Sequence, residues 1–297
     1  MKLFAGSSTK KLGESVAKIV GLPLSQIEHH IFPDGEQRIM LKEPVVGEDV
    51  VIIQSTGMPT DKHYIELFLL LDAAKRNGAK SVTAVVPYLG YSRQDHIFRD
   101  GEARSLEVMI NLIEISGATM MIGFDYHSIK IPELFKIPVT QLSALPLFAS
   151  EIKKHGWIDN DTVLVSPDMG GLRRLGILSE MLSGMGQTSI EKNRDLKTGN
   201  IDASGIHGEV KRRCLIIDDM ISSGWTIVQA AEMLSRQGAE EIYVFATHPV
   251  FSENAPKIMR ESSVKKVFVT DTIAVLDGKR FSKLEMLSVA EMIAAAL

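Results

Sequence analysis

The 297-residue sequence has one cysteine, Cys214, so an internal disulfide is excluded. It also lacks any apolar run of the ~18–20 residues that a membrane-spanning helix needs. Residues 1–13 contain no apolar core of the kind found in signal peptides. We therefore expect a cytoplasmic protein that does not bind membranes, in which Cys214 is a buried core thiol.

An excess of basic residues is missing as well. The 33 Lys and Arg residues are outnumbered by 37 Asp and Glu residues, which gives a formal net charge of −4. General nucleic-acid binders carry a positive excess, so we expect no nucleic-acid partner. The negative charge does not exclude phosphate ligands, because bound metal ions and a few local cations can neutralise them.

The chain repeats its own pattern at about half its length. Residues 2–21 and 163–182 are each typical of a strand, a loop and a helix, and residues 50–91 parallel residues 214–251. In both longer segments the predicted helix ends at a Gly-Ala pair and a strand follows. Strands that alternate with helices in this way predict βαβ units and parallel sheets.

This repeat predicts two α/β domains of similar fold. We place the first at residues 1–145 and the second at residues 146–283, and we expect a last helix over 284–297 to pack back on the first domain. No linker between them is rich enough in Pro or Gly to indicate independently moving modules, and no segment is of low complexity.

The most informative segment is residues 210–234, VKRRCLIIDDMISSGWTIVQAAEML. An apolar run predicts a buried strand that ends in Asp218 and Asp219. A loop of small and hydroxyl residues follows, and an amphipathic helix is predicted to begin at Ile227. Free N–H groups at a helix N-terminus bind phosphate, while the acids can face ribose hydroxyls. Residues 54–64 of the first repeat, QSTGMPTDKHY, lack these acids, so only the second half is expected to bind a sugar phosphate.

Further motifs make a resemblance specific. They are FPDGE (32–36), YSRQD (91–95), DYHSIKIPELF (125–135), SPDMGG (166–171), EKNR (191–194) and DDMISSGWT (218–226). Together with the duplication they resemble the ribose-phosphate diphosphokinase, or phosphoribosyl-diphosphate (PRPP) synthetase, family. The ISSG form of the last loop is closer to the archaeal kind. The resemblance implies an α/β fold of two tandem type I phosphoribosyltransferase-like domains, each with a central, mainly parallel sheet flanked by helices.

The resemblance also implies an activity. Members of this family transfer the β,γ-diphosphoryl group of ATP to the anomeric hydroxyl of ribose 5-phosphate, giving PRPP and AMP for nucleotide biosynthesis, with Mg²⁺. They are homo-oligomers, so the resemblance implies a homodimer or homohexamer with the ATP site near a subunit interface. Catalysis in such a transfer rests mainly on positioning and electrostatics.

Site residues follow from the matching motifs. The resemblance makes Lys192 and Arg194 the catalytic cations of a loop that closes over the transferring group, although their polar surroundings alone are typical of a solvated hairpin. It makes His127 and Asp168 the metal residues. Mg²⁺ prefers oxygen ligands, so we expect His127 to act partly through water.

Two substrate sites are implied. For ATP, the adenine lies between Phe32 and Arg93, and the full set is Phe32, Asp34, Gly35, Glu36, Arg93, Gln94, Asp95 and Arg99. For ribose 5-phosphate, the set is Arg194, Asp218, Asp219, Ser222, Ser223, Gly224, Trp225 and Thr226.

Two residues of the sugar-phosphate loop depart from the family pattern. Ser222 stands where many members have a third aspartate, and Trp225 stands where glycine is usual. Serine removes a charge, and tryptophan adopts positive φ less readily than glycine. We expect activity with an altered affinity for the sugar phosphate.

Two other functions stay open at this point. A base-salvage phosphoribosyltransferase shares the acid-and-loop segment but needs neither the duplication nor the FPDGE and YSRQD motifs. A catalytically silent regulatory homologue would be expected to lose metal or loop residues, yet those residues are present.

Overall fold

The computed structural model describes residues 1–194 and 201–297, with side chains described for 1–191 and 205–297. The elements up to residue 142 are β1 Lys2–Ala5, α1 Lys10–Val20, β2 Leu24–Ser25, β3 Ile27–Ile31, β4 Gln37–Leu41, β5 Asp49–Ile53, α2 Thr60–Arg76, β6 Ser81–Val86, α3 Ser105–Ser116, β7 Met120–Phe124 and β8 Val139–Leu142. Those after it are α4 Leu145–Lys154, β9 Thr162–Ser166, α5 Leu172–Met181, β10 Gln187–Arg194, β11 Ile201–His207, β12 Arg213–Met220, α6 Trp225–Arg236, β13 Glu241–His248, α7 Ala255–Glu261, β14 Lys266–Thr270, β15 Leu284–Leu287 and α8 Ala290–Ala296. Within the described part of the chain, no helix is long and apolar enough to cross a membrane.

The first half forms a parallel sheet. Its six strands have the order β2-β1-β5-β6-β7-β8, and every neighbouring pair is parallel. Strands β3 and β4 form a separate antiparallel hairpin. The carboxyl ends of the six strands therefore share one edge, where α/β folds place their ligands.

The second half forms a sheet of seven strands in the order β11-β10-β9-β12-β13-β14-β15. The pair β10–β11 is antiparallel, and the pairs from β10 to β15 are parallel. The predicted fold class, α/β with mainly parallel sheets flanked by helices, is confirmed.

The chain divides into two compact units. The first contains 1–142, 272–274 and 288–297, and the second contains 143–271 and 275–287. Helix α8 packs against α1 within the first unit.

The predicted helix over 284–297 is wrong in its first part. Leu284–Leu287 form strand β15, which pairs with β14 in the second sheet, and the helix spans only Ala290–Ala296. Tertiary pairing with β14 overrides the helical propensity of Leu-Glu-Met-Leu.

Strand β12 shows why the second sheet is covered on both faces. Cys214 and Ile216 pack into one apolar cluster, whereas Leu215 and Ile217 pack into another. Successive side chains of a strand point to opposite faces, so a continuous apolar run needs two covering layers. The prediction that Cys214 is buried is confirmed, and burial raises the pKa of its thiol to about 11.

Candidate functional site

The predicted sugar-phosphate residues lie at the carboxyl edge of the second sheet. Strands β9 and β12 are parallel neighbours, with Val165 opposite Ile216. The loop after β9 carries Asp168, and the end of β12 carries Asp218 and Asp219. The fold therefore brings these three carboxyls to one edge.

Asp218 and Asp219 form a crowded acidic pair at that edge. Their side chains are 14% and 7% exposed, and Nη1 of Arg174 lies 3.8 Å from Oδ1 of each. Burial and the adjacent Asp219 raise the pKa of Asp218 well above its usual range, and Arg174 offsets this only in part. Hydroxyl donors or a divalent cation placed here would offset the repulsion between the carboxyls.

The Asp168 loop is held by its own side chain. Oδ1 of Asp168 accepts hydrogen bonds from the N–H groups of Gly170 (3.0 Å) and Gly171 (3.2 Å). Oγ of Ser166 donates to the Asp168 carbonyl at 2.7 Å. Asp168 thus caps the short turn that leads into α5 and is fixed in place before any ligand arrives.

The loop after β12 turns at Gly224. This glycine has φ +82°, and a Cβ there would lie 3.3 Å from Sδ of Met259. Helix α6 begins directly afterwards at Trp225, two residues earlier than predicted. The expected strain at Trp225 is absent from this loop, because the positive φ falls on Gly224 and Trp225 is already helical. The indole of Trp225 is 57% exposed.

Ser222 is held by a neighbouring loop. Its carbonyl accepts from the Ser252 N–H at 3.1 Å, and the two hydroxyl oxygens lie 3.2 Å apart. The position where many family members have an aspartate is therefore part of a neutral hydrogen-bonded loop pair.

The segment with the predicted catalytic cations is the hairpin of β10 and β11. Ser189 pairs with Ser166 at the end of β9, so β10 continues past β9 at the carboxyl edge. The side chains of Lys192 and Arg194 lie outside the described residues, as do residues 195–200. Their predicted role stays a prediction.

In the first unit, the FPDGE motif forms the turn of the β3–β4 hairpin. The Phe32 N–H donates to the Glu36 carbonyl at 2.8 Å, and the Gly35 N–H donates to the Phe32 carbonyl at 2.9 Å. Oδ1 of Asp34 accepts from the Glu36 N–H at 3.1 Å. The turn presents the half-exposed Phe32 ring at its start.

Phe32 and Arg93 lie on different elements. The ring of Phe32 has His30 at 4.6 Å between centroids and the Arg38 guanidinium at 5.7 Å. Arg93 lies in the loop after β6. The cation over the Phe32 ring is Arg38, and the predicted binding of adenine between Phe32 and Arg93 stays a prediction.

The loops after β6 and β7 meet at the carboxyl edge of the first sheet. They enclose a cavity of about 420 Å³, lined by Asp95, His96, Arg104, Ser128, Lys130 and Leu134. Arg93, Gln94 and Arg99 are exposed on the first of these loops, and His127 is exposed on the second. Arg104 donates to the Asp95 carbonyl at 2.8 Å, which ties this loop to the start of α3.

The described residues contain no cluster of three or more His, Cys, Asp or Glu side chains arranged to hold a metal. His127 belongs to the first unit and Asp168 to the second, so their predicted joint role stays a prediction.

Comparisons with known proteins cover the whole chain. A family described as the N-terminal domain of ribose phosphate pyrophosphokinase matches residues 1–117, and a phosphoribosyl synthetase-associated domain matches residues 199–297. The chain is 36% identical to ribose-phosphate pyrophosphokinase 1 of Streptococcus agalactiae, over 100% of this chain and 92% of that protein. The corresponding Streptococcus pneumoniae protein is 37% identical with the same coverage.

This chain belongs to the ribose-phosphate pyrophosphokinase family. The crystal structure of phosphoribosylpyrophosphate synthetase from Mycobacterium smegmatis matches with a TM-score of 0.93 and 33% identity, covering 99% of this chain and 96% of that one. Membership across both halves confirms the family resemblance. A base-salvage phosphoribosyltransferase is correspondingly disfavoured, because the match includes the first half of the chain.

Sequence reasoning missed two cations of this pyrophosphokinase family member. Arg174 reaches the acidic pair from α5, and Lys130 lines the first-unit cavity. Arg174 stands six residues after Asp168 in GGLRRLG, a spacing that carries no signal until the helix turns it back over the sheet edge. Lys130 lies inside DYHSIKIPELF, so the motif itself pointed to it.

Proposed function

We propose that this chain transfers the β,γ-diphosphoryl group of ATP to the anomeric hydroxyl of ribose 5-phosphate, giving PRPP and AMP. The observation that carries the proposal is the acidic pair, Asp218 and Asp219, beside an open loop and the N-terminus of α6, in a chain that matches pyrophosphokinases along its full length.

The sugar phosphate would bind at the carboxyl edge of the second sheet. N–H groups of the first turn of a helix have no partner within the helix and favour an anion. Ser223, Gly224, Trp225 and Thr226 offer such groups at the start of α6. Ribose hydroxyls donated to Asp218 and Asp219 would relieve the repulsion that raises the pKa of Asp218. Ser222 would contribute a hydroxyl rather than a charge.

ATP would use the first unit. Phe32 offers a half-exposed ring, and Asp34 and Glu36 stand in the same turn to accept from the adenine amino group. Arg93, Gln94 and Arg99 are exposed on the loop after β6, where guanidinium groups can grip phosphate oxygens in two places at once. Asp95 lines the adjoining cavity. The family resemblance further implies that the adenine binds near a subunit interface, in a homodimer or homohexamer.

Mg²⁺ would supply charge neutralisation of the phosphates when bound. The carboxylate of Asp168 fits such a cation, because Mg²⁺ prefers oxygen ligands and retains several waters. Asp168 also contributes to the raised pKa of Asp218, so the edge carries surplus negative charge. His127 is exposed and would act partly through water.

Lys192 and Arg194 would stabilise the charge that develops on the transferring group. Lysine supplies a movable point charge, and arginine supplies a planar pair of donors. Closure of their segment would exclude water and limit ATP hydrolysis. A cytoplasmic location stays a prediction of the sequence.

The test is ³¹P NMR of purified protein with ATP, ribose 5-phosphate and Mg²⁺. Matched appearance of AMP and PRPP is the expected outcome. Release of ADP and phosphate would instead indicate an ordinary kinase or ATPase. Nucleotide binding without turnover would favour the regulatory homologue.

A further inference from the structure

The loop after β6 begins inside the protein and ends at its surface. Tyr88 and Leu89 are 7% and 2% exposed, whereas Arg93 and Gln94 are exposed. Whatever fixes the buried beginning therefore determines where the exposed arginine and glutamine are presented.

Thr56, which is fully buried, holds this beginning from the loop after β5. Its N–H donates to the Tyr88 carbonyl at 2.9 Å, and its hydroxyl donates to the same carbonyl at 3.0 Å. The hydroxyl oxygen also accepts from the Gly90 N–H at 2.7 Å. The Thr56 hydroxyl is thus hydrogen-bonded to the residues on both sides of Leu89.

Tyr64 of α2 holds the same loop from the other side. Its ring is 1% exposed, and its hydroxyl donates to the Gly90 carbonyl at 2.7 Å. A Cβ on Gly90 would lie 2.6 Å from the Thr56 carbonyl oxygen and 3.2 Å from the Tyr64 ring. Both polar groups of Gly90 are therefore bonded to buried side chains, in a space that admits no larger residue.

The chain then turns directly to the exposed residues. Tyr91 has φ +60°, and its carbonyl accepts from the Gln94 N–H at 2.8 Å. The Gln94 carbonyl in turn accepts from the Leu106 N–H at 3.2 Å, at the start of α3. Two residues separate Gly90 from Arg93, so a displacement at Gly90 passes to Arg93 through one tight turn.

We infer that Thr56 and Tyr64 are positioning residues for ATP, acting through Gly90 on Arg93 and Gln94. The inference rests on the proposed function for its ligand. Neither residue is exposed, so neither contacts the nucleotide itself. A binding group that remains in the protein but loses its precise placement binds its ligand with lower affinity.

The experiment compares Thr56→Val with the wild-type chain in ATP binding by calorimetry and in steady-state turnover. Valine leaves the Gly90 N–H without its acceptor, so the loop must move for that N–H to be hydrogen-bonded again. We expect the Kd and KM for ATP to rise about tenfold, with the KM for ribose 5-phosphate unchanged. Thr56→Ser keeps the hydroxyl and should restore ATP affinity. Tyr64→Phe removes the hydrogen bond to the Gly90 carbonyl and should give a smaller rise in the Kd for ATP.

Thr119→Val is the matched control. The Thr119 hydroxyl accepts from the Val82 N–H at 3.0 Å and donates to the Val82 carbonyl at 3.1 Å, at the opposite edge of the same sheet. Thr119→Val therefore removes the same kind of hydrogen-bonded bridge at a place away from the ATP loop. We expect no change in ATP affinity.

The inference would be overturned if Thr56→Val and Thr119→Val changed the Kd for ATP equally. It would also be overturned if Thr56→Val raised the KM for ATP and the KM for ribose 5-phosphate equally. If Thr56→Val fails to fold, an unchanged ATP affinity in Tyr64→Phe would overturn the inference. A wild-type chain that binds ATP but forms no PRPP would contradict the proposed function alone. The positioning role would still be tested by comparing the Kd for ATP between the variants and the wild-type chain. A wild-type chain that binds no ATP would overturn both.

Discussion

The two halves end corresponding strands in different ways. Strand β5 is followed by Gln54 and Ser55, whereas β12 carries Asp218 and Asp219 at the matching place. Gln54 is fully buried, its Nε2 donates to Oε2 of Glu66 at 2.8 Å, and its Oε1 accepts from the Ser8 hydroxyl at 2.8 Å. The first strand end is thus closed by partners from its own unit.

A buried carboxylate exists in both places, with different surroundings. Glu66 is 1% exposed, accepts from the Ser7 N–H at 2.7 Å, and has Nδ1 of His29 at 3.6 Å. Asp218 instead lies beside a second carboxylate, accepts from the Asp219 N–H at 2.8 Å, and has the Arg174 guanidinium at 3.8 Å, and its pKa is raised. The comparison teaches that a strand end supplied with internal donors serves as scaffold. One left with surplus acid is suited to a ligand.

Loss of the Lys192 side chain should have the largest effect on turnover. It tests whether the second half alone supplies the groups that catalyse the transfer. Lys192→Ala should lower kcat by about 10²–10³-fold, because its charge is proposed to stabilise the transition state. Binding of ribose 5-phosphate should barely change. Initial rates of AMP formation measure this, with Lys153→Ala on the exposed side of α4 as control. A pure binding defect with normal kcat would contradict the role.

Asp218→Asn should give the next largest effect. Removing the charge that is proposed to accept from ribose hydroxyls should raise the KM for ribose 5-phosphate about 10–100-fold. Substrate titration at saturating ATP measures it, and the exposed Asp161→Asn serves as the control. An unchanged titration would show that the sugar is held elsewhere.

The equivalent change in the first half should affect stability instead. Gln54→Leu removes a donor to the buried Glu66 and should lower the free energy of unfolding by about 1–3 kcal/mol. Urea unfolding measures this change. The KM for ribose 5-phosphate should stay at the wild-type value, and a rise in it would break the distinction between scaffold and site.

Phe32→Ala should weaken ATP binding by about tenfold, since it removes the aromatic ring on which adenine is proposed to stack. Phe32→Tyr keeps the ring and should bind ATP normally. Calorimetric titration with ATP distinguishes the two. If alanine and tyrosine variants behave alike, the adenine platform is misassigned.

The smallest effect concerns pH. A carboxyl whose pKa is raised on folding binds more protons in the native state, so it destabilises the protein as pH rises above about 4, its unfolded value. Asp218→Asn should therefore stabilise the substrate-free protein at neutral pH, and the gain should vanish in acid. Thermal unfolding at several pH values measures it. A gain that is constant with pH would point to packing rather than charge.

Much of the architecture could be predicted from local pattern. Apolar runs such as Cys214–Ile217, followed by polar loops and amphipathic segments, specified parallel strands and their crossover helices. The acidic end of β12 and the loop before α6 could also be predicted from the sequence, because strand, loop and helix are contiguous in the chain. The segment after residue 283 was not, since Leu284–Leu287 become a strand only where β14 offers an edge.

The sequence by itself determined which chemical groups stand at each strand end: amide and hydroxyl in one half, paired carboxyls in the other. Only the tertiary structure decided what those groups face. Arg174 lies near Asp218 and Asp219 because α5 folds back over the sheet edge, and Thr56 meets Gly90 because β5 and β6 are neighbours. Such contacts join residues distant in the chain, and their energies depend on burial and distance, which no local pattern encodes.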